Sequence, residues 1–340
     1  MSHRFLLAAA SSIALFACSG NSPAQSDPAS DGENSLTAVD PVEPFQIEVV
    51  GDFDEPWAMA FLPDGRLIVT EKGGTMKLVD FSPDTPRVGT IGGLPEVDYG
   101  GVEVIWRQQP KVTGRGHYGH RILFGPDGYL WIASGDRQKM EPAQDLSNTL
   151  GSVIRLNDDG SVPEGNPFAN RGGVSAEIWS YGHRNPLGFA FDPSGQLWVL
   201  EHGPAGGDEL NRIERGANYG WPVRSGGEHY DGEAIPDHTE DGPFTGPVVS
   251  WTPVIAPGNM IFYTGTLLPG WRGDAIASGL KIQALVRIDM DGEPEEAARY
   301  DMDARIRSVI EGPDGALWVL EDERDGSEGR LLRLSPPSTG

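Results

Sequence analysis

Short apolar runs of alternating character, each fed by a tight turn, recur along this chain. "FLPDGRLIVTE" begins at Phe61, "FGPDGYLWIASGD" at Phe124, "FDPSGQLWVLEHG" at Phe191 and "EGPDGALWVLEDE" at Glu311. A looser copy, "LPGWRGDAIASG", begins at Leu268. In each, a Pro-Asp-Gly, Pro-Ser-Gly or similar turn leads into a β-rich run. A second strand follows each one: "TMKLVD", "SVIRLNDDG", "ELNRIERG", "ALVRIDMDG" and "RLLRLS". No stretch here keeps a helical period over three turns. The pattern predicts an all-β domain, and repeats of about 40 to 60 residues predict a β-propeller. Five repeats are visible, and in this architecture the functional loops ring the mouth of a central channel.

Composition agrees, because 46 glycines and 28 prolines supply the turns that many short strands need. The N-terminus reads differently. Phe5 to Ala17 is apolar after a weakly basic start at His3 and Arg4. It is too short to span a bilayer and suits the core of a secretory signal. "LFAC" at its end resembles a bacterial lipobox, which implies cleavage before Cys18 and lipidation of that thiol. Residues 1–17 are therefore expected to be a lipoprotein-type signal peptide. Residues 18–44, rich in Ser, Pro, Asp, Glu, Asn and Gly, are expected to be a disordered tether. The propeller is expected over 45–336, in the periplasm, with membrane contact only through the Cys18 anchor.

Charge narrows the partners. Fifty acidic against 26 basic residues give a net charge of -24, which excludes nucleic acid as a partner and suits calcium. Much of the acidity also serves solubility alone. His117, His120, His183 and His202 lie beside glycines at the ends of apolar runs, in rim-loop positions. "LEHGPAGGDELNRIERGANYGWP" offers backbone carbonyls at Gly203 and Pro204, followed by Asp208 and Glu209. An oxygen-rich, glycine-flexible loop suits calcium better than zinc. Arg305 and Arg307, two apart on a strand, point to one face, as a solvated face also would. Clustered with Lys281 and Arg184, they would make an anion site for a polycarboxylate or phosphate.

Together, "PWAMAFLPDGRLIVTEKGG", "RQQPKVTGRGHYGHRILFGPDG", "IWSYGHRNPLGFAFDP", "HGPAGGDELNRIERGANYGWP", "SWTPVIAPGNMIFY", "GLKIQALVRI" and "RIRSVIEGPDGALWVLED" resemble the soluble pyrroloquinoline quinone (PQQ)-dependent aldose sugar dehydrogenases. This is the family of soluble quinoprotein glucose dehydrogenase, and the likeness spans most of residues 50–334. The resemblance implies oxidation of an aldose at C1 to the lactone, with PQQ and calcium as cofactors. It puts the catalytic base on His117, which takes the C1 hydroxyl proton while hydride passes to the quinone. It puts a charge-stabilising arginine on Arg184, with Asn185 beside it. Gly203 and Pro204 match the carbonyls that hold the cofactor's calcium, and Glu209 and Tyr219 match a second, structural calcium. Lys281, Arg305 and Arg307 match the cations for the cofactor's carboxylates, and Tyr230 and Trp251 match cofactor-lining aromatics. Electrons would leave to a soluble acceptor or a membrane quinone.

The chain departs from the family in one large way. "GLPEVDYGGVEVIWRQQP" joins two flanks that are usually separated by about 40 residues, roughly one blade, with a cofactor-contacting glutamine. Five blades, or an incomplete six-blade ring, are expected. Gly116 also stands where some members have Asp, and His120 where a small residue is usual. The lost blade leaves a second function open, a non-catalytic envelope lipoprotein that binds or scaffolds. A calcium-dependent lactone hydrolase on the same fold ranks third, because "GHRNP" and the paired arginines have no role in it.

Overall fold

The structure is a computed structural model that describes residues 45–83, 85–92 and 103–337. The expected signal peptide and tether lie outside the described residues. Five four-stranded antiparallel sheets follow one another as blades. Blade 1 is Pro56–Phe61, Leu67–Glu71, Met76–Asp80 and Arg87–Thr90. Blade 2 is Arg121–Phe124, Leu130–Ser134, Ser152–Leu156 and Ile178–Tyr181. Blade 3 is Pro186–Phe191, Leu197–Glu201, Asp208–Arg212 and Val249–Trp251, and blade 4 is Pro257–Phe262, Ala275–Gly279, Ala284–Asp289 and Glu295–Asp301. Blade 5 takes Ile306–Glu311, Leu317–Glu321 and Arg330–Ser335 from the end of the chain and its fourth strand, Gln46–Asp52, from the beginning. That antiparallel pairing, Ile47 opposite Leu334, ties the two ends of the domain together.

The recurring turns explain the local structure. Asp127, Asp192 and Asp314 each accept the backbone N–H two residues on and the indole N–H of Trp131, Trp198 and Trp318. Each turn is thereby tied to the strand that leaves it. Gly65, Gly128, Gly195 and Gly315 sit at φ of 85°, 79°, 88° and 78°, a conformation that only glycine adopts without strain. The second strands of blades 2 to 5, such as "LWVLE" at 197–201 and 317–321, are buried at every position, because each is covered on both faces. That is why they read as continuous apolar runs.

Apolar clusters pack blade against blade. Met302, Ile306 and Leu317 join blades 4 and 5, and Trp251, Met260 and Val286 join blades 3 and 4. Met59, Leu67 and Trp318 join blades 5 and 1, and Trp131, Phe189 and Val199 join blades 2 and 3. Among the described residues no such cluster joins blade 1 to blade 2. The free face of blade 2, at Leu130, Ile132 and Ile154, is covered instead by Trp106, Leu146 and Phe168. Trp106 is fixed there by its indole bond to Glu177 at 3.0 Å. The covering stops short of the inner strand, where Ile122 is 67% and Phe124 62% exposed. Among the described residues five blades are present, and the unpacked interface lies between blades 1 and 2.

Candidate active site

A repeated brace builds the channel mouth. In four blades a buried acid at the end of the second strand, or within two residues past it, accepts from the loop entering its own blade. Glu71 accepts the Asp54 N–H, Asp136 pairs with the His117 ring, Glu201 with the His183 ring, and Asp322 with the Arg305 guanidinium. The separations are 17, 19, 18 and 17 residues. Blade 4 lacks the acid. Its second strand ends at Gly279, and Lys281 follows at the mouth.

His117 occupies the blade 2 loop at φ 50°, and its Nδ1 lies 2.5 Å from Asp136 Oδ1. Asp136 is fully buried and also accepts the Trp221 indole N–H at 2.8 Å and the backbone N–H groups of Gln138 and Met140. Burial alone would raise its carboxyl, but the bonds from His117 and Trp221 outweigh it and hold the group below the usual carboxylate range. Nδ1 is committed to the carboxylate, and Nε2 has no hydrogen-bond partner among the described residues. Two glycines make room for this loop. A Cβ on Gly135 would stand 2.5 Å from the His117 carbonyl oxygen, and one on Gly116 would strike the Gln138 side chain at 2.2 Å. His120 turns back to the backbone, its Nδ1 accepting from Gly135 N at 3.4 Å.

The "GHRN" loop is organised by Glu201, whose carboxylate accepts from the His183 ring, from Arg184 N at 2.6 Å, from Asn185 N and from the Asn211 amide. His183 is buried and stacked on Tyr219 at 4.6 Å, a structural role. Arg184 Nη1 donates to the His202 carbonyl at 3.0 Å, and Nη2 donates to the Tyr230 hydroxyl at 3.1 Å. Its guanidinium lies 5.1 Å from the Trp221 ring and 5.8 Å from Tyr230, while its buried Nε has no partner among the described residues. Asn185 faces the base loop, where its Oδ1 accepts from Gly119 N at 2.9 Å.

Two cavities meet at Tyr230 and Pro204. One, of about 650 Å³, is lined by Gly203, Pro204, Asp208, Thr252 and Lys281. The other, of about 460 Å³, is lined by His117, Gln138, Arg184, Trp221 and Asp231 among others. Gly203 closes a cradle of carbonyls, since a Cβ there would stand 2.1 Å from the Gly206 oxygen and 2.2 Å from the Gly207 oxygen. Asp208 holds that loop by accepting from Gly203 N and Ala256 N, and burial pushes its carboxyl up to about 6. Burial likewise raises Glu209, and Glu201 adds to the effect. His202 is held neutral, pushed down to about 4 by burial and, less, by Arg184, His117 and Arg307, with its Nε2–H donating to Pro257 O at 2.7 Å. Oxygen donors at Gly203 and Pro204 fit a hard divalent cation. Among the described residues no set of three or more acidic, His or Cys side chains gathers as a metal cluster.

The cations fall in two places. Lys281 lines the larger cavity, while Arg305 and Arg307 share the buried Asp322 with Lys72, at 3.1, 2.9 and 3.2 Å. Arg305 also pairs with exposed Asp325 and Lys72 with exposed Glu55, each at 3.3 Å, while the buried Nε of Arg307 is unpartnered among the described residues. That orphaned guanidinium N–H fits a carboxylate ligand. Two expected positions differ in placement. The Trp251 indole is buried between blades 3 and 4 and donates to Glu296 at 2.6 Å, so Thr252 and Pro253 face the cavity in its stead. The Tyr219 phenol is committed to the Arg212 carbonyl, which leaves only its backbone near Glu209. Alternation along a strand puts adjacent residues on opposite faces, so a one-residue ambiguity at Trp251-Thr252 inverts the assignment.

A propeller with a carboxylate-oriented histidine at its channel mouth and a carbonyl cradle beside it falls among the sugar dehydrogenases. The chain belongs to the glucose/sorbosone dehydrogenase family, whose model matches residues 53–102 and 98–333. It is 36% identical to aldose sugar dehydrogenase YliI of Escherichia coli (strain K12), over 85% of this chain and 92% of that protein. The apo structure of the soluble aldose sugar dehydrogenase from Escherichia coli superposes with a TM-score of 0.75 at 34% identity, covering 86% of this chain and all of that one (100%). The PQQ-bound aldose sugar dehydrogenase of Streptomyces coelicolor gives a TM-score of 0.62 at 26% identity, covering 86% of this chain and 98% of the other.

Proposed function

We propose that this protein is a PQQ- and calcium-dependent aldose dehydrogenase that oxidises the sugar at C1 to the lactone. The observation that carries the reading is His117, oriented by buried Asp136 on the wall of a cavity that it shares with Arg184. When bound, the quinone serves as the hydride acceptor. His117 Nε2 takes the proton of the C1 hydroxyl, which a neutral imidazole does well near its working pH. Asp136 keeps the ring in the Nδ1–H tautomer and stabilises the imidazolium that forms. Arg184, stacked between Trp221 and Tyr230, offers a preorganised positive charge to developing oxyanion character. Gly203 and Pro204 would hold the calcium, with Glu209 and the Tyr219 backbone at a second calcium. Lys281, Arg305 and Arg307 would pair with the cofactor's carboxylates, with Thr252 along its edge.

The reading places the enzyme in the periplasm, anchored through Cys18, with a soluble carrier or membrane quinone taking the electrons. A non-catalytic scaffold has no use for an oriented imidazole on the wall of a cavity that it shares with Arg184, so it is not adopted. The test is reconstitution of purified protein with calcium and PQQ, then dye reduction with a panel of aldoses. Aldose-dependent reduction, with quinone absorbance on the protein that is lost on chelation, is the expected result. No reduction together with no bound quinone would overturn it.

A further inference from the structure

The smaller cavity has a wall that no catalytic role accounts for. Residues 228–234 form a tight hairpin in which Glu228 bridges Ala234 and His229 N donates to Glu233 O at 2.8 Å. Its base is fixed because Gly227–Glu228 pairs with Ala205–Gly206 of the carbonyl loop. Its tip is fixed because the Tyr230 hydroxyl takes a hydrogen bond from Arg184. So anchored, the hairpin presents Asp231 and Glu233 to the cavity that holds His117. Asp231 Oδ1 accepts Glu233 N at 3.2 Å, which orders the turn. Neither carboxylate has an ion-pair partner among the described residues. The other titratable groups of the cavity are His117, His229, Tyr230 and Arg184. Arg184 turns its Nη groups to His202 O and Tyr230. The cavity therefore shows two unpaired carboxylates against one engaged guanidinium.

We propose that Asp231 and Glu233 set the charge preference of the substrate cavity. They favour aldoses bearing an ammonium group over neutral ones, and neutral ones over uronic acids. The proposal rests on the dehydrogenase reading, since C1 at His117 is what directs the rest of the sugar into this space. Both side chains are exposed at the rim, so the attraction is modest and screened by salt. At low ionic strength a cationic over anionic preference of about ten-fold is the scale that two such carboxylates supply.

The experiment compares kcat/KM for glucosamine, glucose and glucuronate on the cofactor-loaded protein, at a pH where the amine is protonated and at low and high salt. Wild type, E233Q, D231N and the double variant are measured. The E233Q change removes no hydrogen bond seen in the hairpin, and D231N keeps an acceptor for Glu233 N, so both retain the turn. In parallel, each sugar is titrated against the fluorescence of the protein, because Trp221 lines the cavity. The expected result is a glucosamine-to-glucuronate ratio that falls about ten-fold in the double variant and falls likewise with salt in wild type. A ratio unmoved by both substitutions and by salt overturns the proposal. If no aldose is oxidised but glucosamine still quenches wild type and not the double variant, the dehydrogenase reading fails and the charge preference stands.

Discussion

His117 Nδ1 and Asp136 Oδ1 stand 2.5 Å apart, and the carboxylate is buried beneath the ring with the Trp221 indole on its other oxygen. Replacing His117 with alanine removes the base, so kcat is expected to fall about 10²- to 10⁴-fold with the fold retained. D136N presents an amide to Nδ1 and destabilises the reactive tautomer. A fall in kcat of at least about 10²-fold is expected, with cofactor affinity within a few-fold of wild type. Steady-state kinetics and a PQQ titration on both variants check this. A D136N enzyme of wild-type kcat would refute the orienting role.

The same carboxylate predicts an acid limb in the stability profile. Its folded pKa lies below its unfolded value. It therefore contributes stability that is present above the unfolded pKa of about 3.9 and lost as pH falls through the lower folded value. Denaturant melts of wild type and D136N between about pH 2 and pH 6 should converge toward the acid end. Curves that stay parallel across that window would contradict the assignment.

Asn185 is predicted to act through the base loop. N185A leaves Gly119 N without its acceptor in a buried site, at a cost of about 1–3 kcal/mol. Because Gly119 lies two residues from His117, kcat should drop by more than KM rises. A thermal melt beside the kinetics separates the two effects. A lower melting temperature with untouched kcat would make Asn185 purely structural.

Asp322 carries three cations, so removing it should do more harm than removing any one of them. D322N leaves Arg307 without its counter-charge, and leaves Arg305 and Lys72 only their exposed partners Asp325 and Glu55, so about 3–5 kcal/mol of stability should be lost. R307M should weaken PQQ binding by about ten-fold or more while costing less stability. Equilibrium binding and unfolding on the two variants give opposite rank orders if this is right.

Ile122 and Phe124 report on the open interface. In a closed ring, polar replacement at these positions would cost about 2–5 kcal/mol. Because they are 67% and 62% exposed, I122T and F124S should each change stability by no more than about 0.5 kcal/mol. A loss of several kcal/mol in urea melts would show that another surface covers them in solution.

Much of the architecture was legible from local chemistry alone. Pro-Asp-Gly turns, their following tryptophans and the buried "LWVLE" runs depend on neighbours a few residues away, so five repeats could be read directly, while a five-blade ring and an incomplete six-blade ring both stayed open. Of the residues the family motifs single out, His117 and Arg184 line one cavity and Gly203, Pro204 and Lys281 the adjoining one. No role for Asp136 and Glu201 is read from the sequence although a signal exists, because an acid closes or closely follows the second strand in four of the repeats. Their partners lie 17 to 19 residues upstream, across a turn and two strands.

The sequence by itself determined the all-β repeat, the strand-and-turn boundaries and the set of catalytic residue types, because these follow from periodicity, glycine conformation and side-chain chemistry. Tertiary structure alone decided which residue of Trp251-Thr252 faces the cavity, since a one-residue change on a strand reverses every side chain. It alone decided that the unpacked interface falls between blades 1 and 2, and that a segment around Trp106 covers most of the exposed face. It also decided that Asp231 and Glu233, distant in sequence from His117, share its cavity. Such relations are set by how blades stack around an axis, and no local pattern encodes that.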